Sequence, residues 1–183
     1  MKKIAIIVGH SAASGGAANA KNGMTEYLFN DQLAQRIAPK LKNKGHEVLI
    51  VYRDCTYTDL PFKVNDTGSD VAVSLHCNAY NAAVSGSEVL YYKYSKTSPR
   101  LAELIQKEVV AALDLPDRGL RPVDKSHAGK KGDRGGYLCA KTKMPCVIVE
   151  PFFIDNDNDL STAMNKMDQL SEAIAKGIAE YVD

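Results

Sequence analysis

The chain has 183 residues, 45% of them hydrophobic and 25% charged, with a formal net charge of +1 from 23 basic and 22 acidic side chains. That length suits one domain spanning residues 1–183 with a core of its own, and the near-neutral balance excludes a nucleic-acid binder that works by overall charge. No apolar run nears the roughly 20 residues needed to cross a bilayer, so membrane insertion is not expected, and a monomer is the simplest state.

Met1-Lys2-Lys3 leads into Ile4-Ala5-Ile6-Ile7-Val8. The run is too short for a signal peptide, so the expectation is synthesis in the cytoplasm without one. It is long enough for a parallel strand buried on both faces. It ends on Gly9-His10, and a polar residue at the carboxyl end of such a strand sits where open α/β sheets place ligands. Residues 11–25 are small and polar and read as a loop. A helix is predicted from about Glu26 to Lys44, with Leu28, Leu33, Ile37 and Leu41 as its apolar stripe and Thr25 as N-cap. Pro39 should kink or end it. Glu47 to Tyr52 reads as a second strand, followed by a mixed segment.

Val71-Ala72-Val73-Ser74-Leu75 repeats the grammar of the first strand and ends on His76. Gly86 to Tyr94 reads as another strand, with Tyr91, Tyr92 and Tyr94 on a surface half wet. Ser98-Pro99 opens a helix, with Ser98 as its cap. Leu115 to Gly136 is the longest stretch with no regular pattern. It carries Arg118, Arg121, Lys125, His127, Lys130, Lys131 and Arg134. A loop that long in a compact domain is usually functional or mobile. Tyr137 to Ala140 reads as a short strand, Cys146 to Val149 as a clear one ending on Glu150, and about Leu160 to Val182 as a final helix. The alternation implies an α/β fold with a sheet covered on both faces. Cys55, Cys77, Cys139 and Cys146 show no metal-knuckle spacing and read as reduced thiols. Cys77 should point away from whatever His76 faces.

Three strand ends thus deliver His10, His76 and Glu150 to one edge of one sheet. Catalytic zinc takes three protein ligands and keeps a position for water. His10 and His76 are two candidate ligands. Glu26 is the third, because the loop after the first strand returns to the helix start, where the helix dipole favours an ionised carboxylate. Glu150 has apolar neighbours in Pro151-Phe152-Phe153, which suits a proton-transfer carboxyl with a raised pKa. This constellation points to a metal hydrolase acting on an amide. His46 starts a strand and reads as structural, while His127 is a possible substrate contact.

Four segments also resemble a known family: Ile7-Val8-Gly9-His10, Glu26 with Asn30, Ser74-Leu75-His76-Cys77-Asn78-Ala79, and Met144 to Glu150 continuing to Phe153 and Asn156. In this order and spacing the chain resembles, nearly end to end, the zinc-dependent N-acetylmuramoyl-L-alanine amidases of the amidase-3 type. The resemblance implies a three-layer α/β/α sandwich with a mixed, mostly parallel sheet of about six strands. It implies one Zn2+ per chain on His10, Glu26 and His76, with Glu150 as catalytic acid/base. The implied substrate is peptidoglycan, cut between N-acetylmuramic acid and L-alanine of the stem peptide. A compact chain of this kind looks like a phage endolysin, released to act on the cell wall during host lysis. Asn78, Arg118 and Arg134 are the candidate substrate contacts. The family commonly has glycine before the phenylalanine of the last motif, where this chain has Pro151-Phe152-Phe153. Two other readings stay open: a zinc carboxypeptidase-like enzyme, which would use an arginine for the terminal carboxylate, and a non-catalytic wall-binding module.

Overall fold

The computed structural model describes residues 1–127 and 133–183. Six strands form one sheet: β1 (Lys3–Val8), β2 (Glu47–Tyr52), β3 (Val71–Leu75), β4 (Ser87–Tyr92), β5 (Asp117–Val123) and β6 (Cys146–Glu150). Their spatial order is β2-β1-β3-β6-β4-β5. All neighbours run parallel except β4 and β6, which are antiparallel. The sheet is therefore mixed and mostly parallel, as the resemblance implied.

The apolar runs are continuous because the sheet is covered twice. Helices α1 (Glu26–Asn43), α3 (Ser98–Leu113) and α6 (Met167–Val182) bury one face. Phe29, Leu33, Leu101, Ile105 and Ile174 pack there against Ile4, Ile6, Val73 and Val149. The short helices α2 (Leu60–Asp66) and α4 (Gly136–Lys141) cover the other face, where Leu60, Val64 and Leu138 meet Ala5, Ile7 and Ile148. The larger core makes the fold stable, and the thinner cover leaves room for a groove.

Several expectations need correction. Leu115 to Gly136 is not one loop: Asp117–Val123 pairs with β4 as an edge strand. Its residues are half-wet and include Gly119 and Pro122, so no hydrophobic periodicity marks it. Lys130 and Lys131 lie outside the described residues. Tyr137 to Ala140 is helix α4, not a strand; Gly135 at φ 81 turns the chain into it, and a four-residue apolar run cannot separate the two by pattern. Cys139 is thus helical. The mixed segment after β2 holds α2. Helix α1 does not end at Pro39 but reaches Asn43, because Ile37, Ala38 and Leu41 pack on either side of the proline and outweigh one missing hydrogen bond. Its buried stripe starts at Phe29, with Leu28 49% exposed. Thr97, not Ser98, occupies the cap position of α3. The final helix is two, α5 (Asp157–Asn165) and α6, divided at Lys166. Asn156 caps α5 by accepting from the N–H groups of Asn158 and Asp159.

Candidate active site

β1, β3 and β6 end at the same edge, with Val8 level with Leu75 and Leu75 level with Val149. The His76 N–H donates to the Val149 carbonyl at 2.9 Å, which sets His76 beside Glu150. Side chains alternate along a strand. Leu75 and Val149 face the large core, so His76 and Glu150 turn to the α2/α4 face. Cys77 returns to the large core, away from His76 as alternation requires.

The chain leaves β1 with His10 at φ 65, a left-handed conformation uncommon outside glycine. Its ring then lies edge-on to that of His76, with centroids 5.2 Å apart. Two glycines make room. A Cβ on Gly9 would lie 2.3 Å from the Leu75 carbonyl oxygen, and one on Gly16 (φ 79) would lie 2.6 Å from His10 Cδ2 and 2.7 Å from Glu26 Oε2.

Glu26 starts α1, where Thr25 Oγ1 caps the helix by accepting from the Leu28 N–H at 3.3 Å. The Ala17 and Cys77 N–H groups donate to Glu26 Oε2 and Oε1 at 2.9 and 3.0 Å. His10 Nε2 stands 3.2 Å from Oε2 and His76 Nδ1 3.3 Å from Oε1. Burial opposes ionisation of Glu26, but the hydrogen bonds from His10 and His76 overcome it and hold the carboxyl well below the usual carboxylate range.

This is the cluster whose donor set fits a metal. One ligand atom from each of His10, Glu26 and His76 lies within 4.8 Å of the others. Two imidazole nitrogens and a carboxylate oxygen suit zinc. Backbone N–H groups hold both carboxylate oxygens in place, the kind of outer support metal ligands require. Each His–Glu contact needs a proton between nitrogen and oxygen, and one cation can replace both protons. Among the described residues no other such cluster of three or more exists. His46 is buried, 3.6 Å from Asp183 at the chain end, and His127 is exposed beyond β5.

Glu150 lines the same groove, a cavity of about 450 Å³ that also holds Arg134, Tyr57 and the three metal-ligand candidates. The antiparallel pairing sets Glu88 directly opposite Glu150. Glu88 was not among the residues singled out by sequence. The available signal was a glutamate opening an apolar strand, Glu88-Val89-Leu90, but only the β4–β6 register gives it meaning. Two carboxylates opposite each other repel. Arg134 relieves this by donating from Nη2 to both, at 3.0 Å to Glu150 Oε2. Burial pushes the Glu150 pKa up, against the pull of Arg134, and Glu88 adds to the rise. Glu88 moves the opposite way: burial resists, but hydrogen bonds from Arg134, from the Glu150 carboxyl and from Arg118 hold it ionised.

The candidate substrate contacts converge on Glu88. Asn78 Nδ2 donates to Glu88 Oε1 at 2.8 Å, so Asn78 braces a buried carboxylate rather than facing outward. Arg118 donates from Nε to Glu88 Oε2 at 2.9 Å and lies over the Phe153 ring, 4.9 Å from its centroid. Arg121 joins through its own Nε at 3.2 Å.

Comparison with known proteins agrees with this geometry. Residues 4–180 match the family model described as N-acetylmuramoyl-L-alanine amidase. The chain is 30% identical over 181 residues to the N-acetylmuramoyl-L-alanine amidase LytC of Bacillus subtilis (strain 168), covering 94% of this chain and 34% of that protein, so it spans about a third of that relative's length. It is 27% identical over 187 residues to the endolysin of Bacillus phage SPP1, covering 99% of this chain and 65% of that one. Its fold overlays the catalytic domain of the amidase CwlV from Bacillus (Paenibacillus) polymyxa var. colistinus with a TM-score of 0.85 at 27% identity, covering 100% and 99% of the two chains. The matched span, the superposed fold and the His–Glu–His cluster agree, and the chain belongs to the N-acetylmuramoyl-L-alanine amidase family.

Proposed function

We propose that this protein is a zinc-dependent peptidoglycan hydrolase that cleaves the amide between the lactyl carbonyl of N-acetylmuramic acid and L-alanine of the stem peptide. The observation that carries the reading is the convergence of His10, Glu26 and His76 within 4.8 Å, in one groove with Glu150. Those three residues would hold one zinc ion per chain. Bound there, zinc polarises the amide carbonyl and lowers the pKa of a water to about 7.

Glu150 moves the proton. As a carboxylate it takes a proton from the attacking water, whose oxygen bonds to the lactyl carbon. As an acid it returns that proton to the nitrogen when the carbon–nitrogen bond breaks, so L-alanine leaves as a free amine. A carboxyl with an ordinary pKa would return the proton poorly near neutral pH. The raised pKa of Glu150 matches both halves of the cycle. Glu26 stays ionised throughout, as a ligand should. Likeness to an endolysin among the relatives supports the cell wall as the site of action and lysis of a bacterial host as the outcome.

The test is digestion of purified peptidoglycan, with released ends identified by mass spectrometry. The expected products are stem peptides beginning with a free L-alanine amine, lost on chelation and restored by zinc. Peptides shortened at their carboxyl end would replace this reading with a peptidase, and wall binding without release would replace it with a binding module.

A further inference from the structure

The Glu88 cluster holds more positive charge than its own structure consumes. Glu88 has a side chain with 0% exposure and four donors: Asn78 and Arg134 on Oε1, Arg118 and Arg121 on Oε2. A carboxylate has about four lone-pair sites, so Glu88 is saturated. Even with Glu150 ionised, among the described residues the ion pairs of three guanidinium groups run to two carboxylates. Arg118 and Arg121 spend only Nε on Glu88, and among the described residues their Nη groups have no protein acceptor. Their side chains remain 31% and 42% exposed, and Arg134 46%. Guanidinium forks held at one end by a buried anion, with the other end wet, are preorganised for a second planar anion.

The position selects which part of the substrate that anion belongs to. β4 runs antiparallel to β6, so its start lies at the edge where β1, β3 and β6 end. β5 is parallel to β4 and brings Arg118 to the same edge. The order along that edge is metal ligands, then Glu150, then Arg134 and Glu88, then Arg118 and Arg121. Glu150 delivers its proton to the departing amine, so the arginines extend beyond it on the amine's side. That side carries the peptide. The lactyl carboxyl of the sugar is consumed in the amide, which leaves the peptide arm as the source of carboxylates.

We propose that Arg118, Arg121 and Arg134, ordered around the buried Glu88, form a subsite for a carboxylate of the substrate's peptide arm. This rests on the amidase reading above and specifies its substrate: an anionic stem peptide, not an amidated one. Arg121 and Glu88 thereby join the recognition machinery, Glu88 as a positioning residue that never meets the ligand.

The experiment compares two soluble probes, N-acetylmuramoyl-L-alanyl peptides with free side-chain and terminal carboxylates and the same peptides with carboxamides. Both are assayed on one sample of zinc-loaded protein, and the readout is the ratio of their kcat/KM values. The ratio is independent of the folded fraction, so a destabilised variant still reports. Wild type should favour the carboxylate form by about tenfold or more, the scale of one charge-assisted hydrogen bond, chiefly through KM. Arg121→Gln and Arg118→Gln should each pull the ratio toward one, and Arg121→Lys, which keeps the charge and loses the fork, should fall between. Equal cleavage of both probes by wild type overturns the subsite while leaving the amidase standing. A wild-type preference that survives both glutamine variants also overturns it. Cleavage within the peptide instead of at the muramoyl amide overturns the subsite and the amidase reading together.

Discussion

The candidate active site has two halves built by different means. The metal half comes from β1, the start of α1 and the end of β3, where parallel neighbours end level with one another. Its parts are held by backbone: N–H groups of Ala17 and Cys77 grip Glu26, and glycines at 9 and 16 let the rings close in. The carboxylate half is assembled across the one antiparallel junction of the sheet, where Glu88 and Glu150 oppose each other. There side-chain charge does the holding, through Arg134 and two further arginines. The difference teaches a division of labour. A backbone-held cradle would fix where a cation sits, while a charge-held pair would set when a carboxyl carries its proton.

That comparison can be broken at either end, and the largest effect belongs to the metal half. His76→Ala should lose bound zinc and turnover together, measured by metal content after dialysis and by release of L-alanine amines; an active variant retaining zinc would refute the ligand assignment. Glu150→Gln comes next. It should cut kcat by about 10²–10⁴-fold and leave zinc content at the wild-type level, because the proposed role of Glu150 is proton transfer and it lies outside the His10, Glu26 and His76 cluster.

Smaller effects sharpen the contrast. Gly16→Ala forces a methyl against His10 and Glu26 at a left-handed position. It should weaken zinc binding by about 10–100-fold, the scale for disturbed ligand support, read by competition with a chromogenic chelator, with kcat recovering at saturating zinc. The pH profile probes the other half. Turnover needs ionised Glu150, so kcat/KM falls as pH drops through its pKa. Arg134 pulls that pKa down and Glu88 pushes it up. Arg134→Gln should therefore move the acidic limb to higher pH, and Glu88→Gln should move it to lower pH. Shifts of the same sign in both variants would refute the charge-held arrangement.

Much of the metal half was legible in the sequence. An apolar run ending on a polar residue has one local meaning when its strand is parallel and buried, and His10, His76 and Glu150 each follow such a run. Thr25-Glu26 announced a helix start by its own capping chemistry. Of the carboxylate half, Glu150, Arg118 and Arg134 could be picked out as candidates, but Glu88 and the arrangement that joins them could not. Glu88 is one glutamate among several until β4 is known to run against β6, and a reversed strand is a long-range choice with no local signature. The edge strand β5 was hidden for a related reason: at the rim none of its residues is fully buried, so they need no apolar period.

By itself, then, the sequence determined the α/β alternation, the three strand ends and the identity of the residues on them, because burial on both faces writes itself into composition. Only the tertiary structure decided what those residues face. The antiparallel β4–β6 pairing, set by packing of the whole sheet between its two helix layers, joined Glu88 to Glu150 and gathered Arg118, Arg121 and Arg134 around them.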